Sequence, residues 1–88
     1  MHPYTRKKAE SHPAWAAFVT YRDMGGGRSL SKVAIKLGKH EQLMRRWSAK
    51  HDWVARAAAW DVEVDRAGRE GLLKGYYERM RRQTRGYA

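Results

Sequence analysis

The sequence predicts an all-α fold, a small helical bundle with a longer C-terminal helix, and three observations predict it. Apolar residues recur at helical spacing through most of the chain, no alternating strand pattern occurs, and glycine or capping residues divide the chain into helix-sized pieces. A chain of 88 residues supports one domain with a small core, so the four tryptophans form a large part of its apolar area. Trp15, Trp47, Trp53 and Trp60 all sit among apolar neighbours at helical spacing. That placement favours packing in the core over base-stacking platforms.

Residues 1–10 are polar and basic, contain Pro3 and show no period, and are expected to form a flexible basic arm carrying Arg6, Lys7 and Lys8. Such an arm can follow a nucleic-acid backbone, or be an ordinary unstructured terminus. A helix-turn-helix domain of homeodomain-like type is expected over residues 11–60. Pro13 suits a first helical turn and opens a helix running to about Met24, with Trp15, Phe18 and Val19 on one face. Gly25, Gly26 and Gly27 break that helix. No strand precedes them and no Gly-Lys-Ser/Thr follows, so they are read as a turn and not as a phosphate loop.

Ser29 is placed to accept hydrogen bonds from the free N–H groups of a helix beginning at Leu30, and Gly38 to end it in the left-handed conformation. Over residues 30–37, Leu30, Val33, Ala34 and Leu37 then share one face, and Lys32, Lys36 and Lys39 lie off it. A second helix from Glu41 turns Leu43, Met44 and Trp47 inward and Gln42, Arg45 and Arg46 outward. A helix presented in this way fits the major groove of double-stranded DNA, where Arg pairs bidentately with guanine and Gln with adenine.

The segment Ser48-Ala49-Lys50-His51 is expected to fray, and Asp52 to cap a helix from Trp53 that bears Val54, Ala57 and Ala58. Residues 61–88 form the expected C-terminal helix, a possible oligomerisation or partner-binding segment. Its helical pattern runs to about Gln83, with Leu72, Leu73, Tyr76, Tyr77 and Met80 as an apolar stripe. Gly68, Gly71 and Gly75 weaken it, each by roughly 1 kcal/mol relative to Ala. Such a helix either packs on an oligomer partner or folds back, partly frayed, on its own domain.

The net charge is +10, which points to a polyanionic partner, although a merely basic soluble surface has the same composition. Residues 1–40 carry eight Lys/Arg against two acids, whereas residues 61–88 carry seven against five, so the excess lies in the arm and the first half of the motif. The absence of cysteine removes disulfide and thiolate chemistry. No apolar run approaches the roughly 20 residues that span a bilayer, and Met1-His-Pro-Tyr lacks the apolar core of a signal peptide. A soluble, intracellular protein with no membrane partner is expected.

Tyr21-Arg-Asp-Met-Gly-Gly-Gly-Arg-Ser-Leu30, Val33-Ala34, Leu37-Gly38-Lys39, Arg46-Trp47-Ser48, Trp53-Val54-Ala55-Arg56-Ala57 and Trp60-Asp61 together resemble the N-terminal region of bacteriophage terminase small subunits and related phage helix-turn-helix proteins. The resemblance spans about residues 15–65. It implies a subunit that recognises viral DNA for genome packaging, forms a homo-oligomer through the helical region that follows, and delivers DNA to a terminase large subunit holding the ATPase and nuclease. It also implies a place in the cytoplasm of the infected or lysogenic bacterial host. Carried over by position, Gln42, Arg45 and Arg46 would face DNA, and Lys39 and His40 at the turn would meet phosphate. Lys36 and Arg28 complete the expected DNA-contacting set. One departure is His40, where similar sequences often place Ser, because imidazole is a poorer N-cap. Another is length, since family members commonly continue well beyond residue 88.

No enzyme is expected. His2, His12, His40 and His51 are scattered, and no His-x-x-x-His or His-x-x-Glu pair falls on a helix, so neither a metal nor another cofactor is called for. Asp61 and Asp65 could share a helix face around a divalent ion, but Arg69, four residues beyond Asp65, makes an ion-pair ladder the simpler reading. Two other functions fit parts of the sequence. A transcription regulator would use the same motif on a palindromic operator. A basic protein-interaction module would use Arg79, Arg81, Arg82 and Arg85 beside Tyr76, Tyr77 and Met80, against a protein or an anionic membrane.

Overall fold

The computed structural model describes the backbone of residues 2–86 and the side chains of residues 2–81, so the side chains of Arg82 and Arg85 lie outside the described residues. Among the described residues four helices follow one another: α1 (His12–Asp23), α2 (Leu30–Leu37), α3 (Glu41–Lys50) and α4 (Trp53–Gly86), with a 3-10 turn at Gly25–Gly27. No strand occurs among the described residues. No helix among them is long and apolar enough to cross a membrane.

Local chemistry sets most of the boundaries. Ser11 Oγ accepts from Ala14 N–H and starts α1 one residue before Pro13. Ser29 Oγ accepts from Lys32 N–H and starts α2, which Gly38 ends at φ 63°, in the left-handed region that a side chain would strain. His40 precedes α3 with no side-chain cap. Residues 48–50, expected to fray, instead continue α3, and His51 N–H closes the end by donating to the Trp47 carbonyl at 2.9 Å. Asp52 makes the corner into α4 at φ 50°.

The core draws on every helix: Ala17, Phe18 and Tyr21 from α1, Val33 and Ala34 from α2, Met44 from α3, and Trp53 and Ala57 from α4. Trp53 is fully buried, its ring 5.3 Å from Tyr21 and 6.1 Å from Phe18 between centroids. Trp15 and Trp47 pack on the rim of this cluster. Trp60 does not reach it. Its ring is half-buried over the Arg22 guanidinium, 4.0 Å from the centroid, and meets Tyr4 edge-on. Val54 is exposed because the phase of α4 turns Trp53, Arg56 and Ala57 inward.

The N-terminal segment is docked, in contrast to the mobile arm that its composition suggests. Arg56 on α4 is fully buried and binds the carboxylate of the equally buried Glu10 through two bonds of 2.9 Å. The same guanidinium donates to the carbonyls of Pro3, Thr5 and His51 and lies 4.0 Å from the Phe18 ring centroid. One arginine therefore ties residues 3–10 to α4 and to the corner after α3. Burial alone would raise the Glu10 pKa, but hydrogen bonds from Arg56 and from Lys7 N–H hold it below its ordinary value. Burial lowers the His51 pKa, keeping the imidazole neutral near pH 7.

Beyond Asp61, α4 leaves the bundle instead of folding back on it. Val62, Leu72, Leu73, Tyr76 and Tyr77 are all more than half exposed, and the molecule is 64 Å long but only 27 and 19 Å across. Gly71 has open space where a Cβ would stand. Gly71→Ala is accordingly expected to strengthen α4 by about 1 kcal/mol. Circular dichroism at 222 nm would show the gain in helicity, and a loss would mean that another surface lies against this position.

Candidate nucleic-acid interface

The candidate site rests on two helices joined by a tight turn. Leu30, Val33, Ala34 and Leu37 fix α2 against the bundle, and Leu43, Met44 and Trp47 do the same for α3. At the turn, Lys39 N–H donates to the Ala34 carbonyl at 2.9 Å, so Gly38 reverses the chain with its backbone bonded. Holding both helices by their inner faces leaves the outer face of α3 rigidly presented.

Gln42, Arg45, Arg46 and Ala49 occupy that outer face at i, i+3, i+4 and i+7, and all four are exposed. Lys36, Lys39 and His40 are exposed at the end of α2 and in the turn. Six of the seven residues expected to contact DNA thus stand on one motif. Arg45 pairs weakly with Glu41 at 3.3 Å, an exposed i,i+4 pair of about 0.3–0.5 kcal/mol that a stronger anion displaces. A helix of 10 residues is about 15 Å long and, with its side chains, about 10–12 Å across, a match to the roughly 12 Å width of the major groove.

Arg28 is the exception and has a different role. Its guanidinium grips the Asp61 carboxylate through bonds of 2.6 and 2.7 Å and donates to the carbonyls of Tyr21 and Arg22 at the end of α1. It also lies 5.5 Å from the Tyr21 ring centroid. These contacts fasten the C-terminus of α1 to α4 and leave only 13 % of the side chain exposed. The hydrogen bond and charge of Arg28 hold the Asp61 carboxyl below its ordinary pKa. Asp65 pairs separately with Arg69 at 2.8 Å, so the two carboxylates serve different cations.

Sequence reading missed two residues of the face. Ala49 and Lys50 belong to it because α3 extends through them. The available signal was the lack of any glycine or proline between Trp47 and His51. Ala49 offers a methyl group for apolar contact with thymine, and Lys50 adds an exposed cation at the end of the helix. Comparison of the chain with protein-family models, with curated proteins and with solved structures gives no match.

Proposed function

We propose that this chain is a DNA-binding recognition subunit and that α2, the Gly38 turn and α3 act as a helix-turn-helix of homeodomain-like type. The observation that carries this reading is the outer face of α3, where Gln42, Arg45 and Arg46 stand exposed together on a helix fixed from behind by buried Met44. In this reading α3 enters the major groove, Arg45 and Arg46 bind guanine edges or phosphates, and Gln42 reads adenine. Lys36, Lys39 and His40 bind the flanking backbone, while the net charge of +10 draws the protein to the polyanion. Chemistry on the DNA would belong to a partner. The sequence resemblance to phage terminase small subunits makes viral genome packaging the setting, with a terminase large subunit as that partner.

Titration of the isotopically labelled chain with a DNA duplex, followed by amide chemical shifts, tests the placement. The largest shifts are expected in residues 36–50. Shifts confined to α4, or to residues 2–10, would overturn it.

A further inference from the structure

The docked N-terminal segment lies against the far end of α3. Arg56 holds residues 3–10 by binding the Glu10 carboxylate and the carbonyls of Pro3 and Thr5, and Arg6 Nε donates to the Glu10 carbonyl at 3.2 Å. Lys7 Nζ then donates to the His51 carbonyl at 3.5 Å, next to Lys50 in the last turn of α3. We infer, on the reading that α3 enters the major groove, that Lys7 and Lys50 form a second phosphate-binding site. It grips the backbone of the same duplex at the end of α3 opposite Lys36, Lys39 and His40.

Burial is the main cause of the lowered His51 pKa, and the charges of Lys50, Lys7 and Arg56 add to it against Glu10, so both lysine ammonium groups stand near that imidazole. Lys50 is exposed and Lys7 half-buried. One of the three Lys7 N–H donors goes to the His51 carbonyl, which leaves two for an anion. Arg6 and Lys8, on either side of Lys7, are exposed as well. The acids of this corner do not cancel the cluster. Glu10 is buried with its carboxylate bound by Arg56, and Asp52 sets one exposed carboxylate against Lys7, Lys50 and their neighbours Arg6 and Lys8.

The dimensions fit one duplex. A helix of 10 residues is about 15 Å long, more than the roughly 12 Å between the edges of the major groove, so α3 laid across the groove brings both its ends to the bordering sugar-phosphate strands. Lys36, Lys39 and His40 meet one strand, Lys7 and Lys50 meet the other, and Gln42, Arg45 and Arg46 stand between them over the bases. Docking adds to the affinity, because a segment already held by Arg56 binds phosphate without first giving up the freedom of a mobile arm. The same two lysines also favour the helix dipole of α3, an effect on folding and not on affinity.

Lys7→Gln with Lys50→Gln removes both charges and keeps polar side chains. In fluorescence anisotropy of the full chain with a labelled duplex, this variant is expected to make the slope of log affinity against log salt shallower by about 1.8, at about 0.9 per phosphate contact, and to lose at least about 10-fold in affinity at about 0.1 M salt. Its thermal midpoint should move little. Arg79→Gln with Arg81→Gln, which removes the same charge from the projecting part of α4, should leave most of the slope in place. A slope as steep as that of the intact chain, an equal loss in the α4 variant, or an affinity loss that only follows unfolding would overturn the inference and leave α3 as the binding helix. Failure of α3 itself shows separately, as unchanged binding in the Arg45→Ala, Arg46→Ala variant, and absence of binding by the intact chain would overturn both.

Discussion

Arg56→Met is expected to unfold the domain at room temperature or bring it close to unfolding. The substitution leaves the Glu10 carboxylate buried without its cation and removes the donors to the carbonyls of Pro3, Thr5 and His51. Breaking a buried ion pair from one side costs about 3–5 kcal/mol, a large share of the roughly 5–10 kcal/mol that a domain of this size has. Adding Glu10→Met should recover part of the loss, because two apolar side chains no longer leave a lone buried charge. Urea denaturation of the two single variants and the double variant gives the coupling between them. Strictly additive effects would mean that the pair does not tie residues 3–10 to α4.

The same pair makes stability depend on pH in a definite direction. Glu10 has a native pKa below its ordinary 4.5, so its contribution is complete above about pH 4.5 and is lost as pH falls through the lowered native value. His51 has a native pKa below its ordinary 6.5, so the unfolded chain takes up a proton first and stability begins to decline as pH falls past about 6.5. The thermal midpoint is therefore expected to fall in two stages on acidification. Glu10→Gln should shrink the lower stage to the share that Asp61 contributes through Arg28, and an unchanged profile in that variant would rule out Glu10 as a source.

Arg45→Ala combined with Arg46→Ala is expected to abolish most duplex binding without unfolding the protein. Each arginine stands for a contact of about 1–3 kcal/mol, so their joint loss corresponds to at least about 30-fold in affinity. Both side chains are exposed, and only the weak Glu41 pair is lost from the folded state, so the thermal midpoint should move little. Arg79→Ala with Arg81→Ala removes the same charge from α4 and is the matched control. A gel-shift titration should show the α3 pair losing far more affinity, and equal losses would reduce the proposed interface to general charge.

What was legible in the sequence was written locally. Ser29, Gly38 and the Leu30, Val33, Ala34, Leu37 face lie within ten residues of one another, so caps and periodicity placed α2 and the start of α3. The exposed set of Gln42, Arg45 and Arg46 followed from the same phase. What escaped depends on distant partners. Arg28 sits next to a helix cap in a basic stretch and reads as a phosphate contact, yet its partner Asp61 is 33 residues away. Glu10 and Arg56 are 46 residues apart, and nothing in a polar N-terminal segment signals that one buried guanidinium will tie it down. The tryptophans were also less uniform than their spacing suggested, because a cation at Arg22 draws Trp60 to the surface.

Fluorescence anisotropy of a labelled duplex across a salt series tests most directly whether α3 presents its arginines to duplex DNA. The intact chain is expected to bind with an affinity that falls steeply with salt and survives unrelated competitor duplex, and the Arg45/Arg46 double variant to show a shallower salt slope and little remaining affinity. Absence of binding at low salt, or an identical slope in the double variant, would contradict that arrangement.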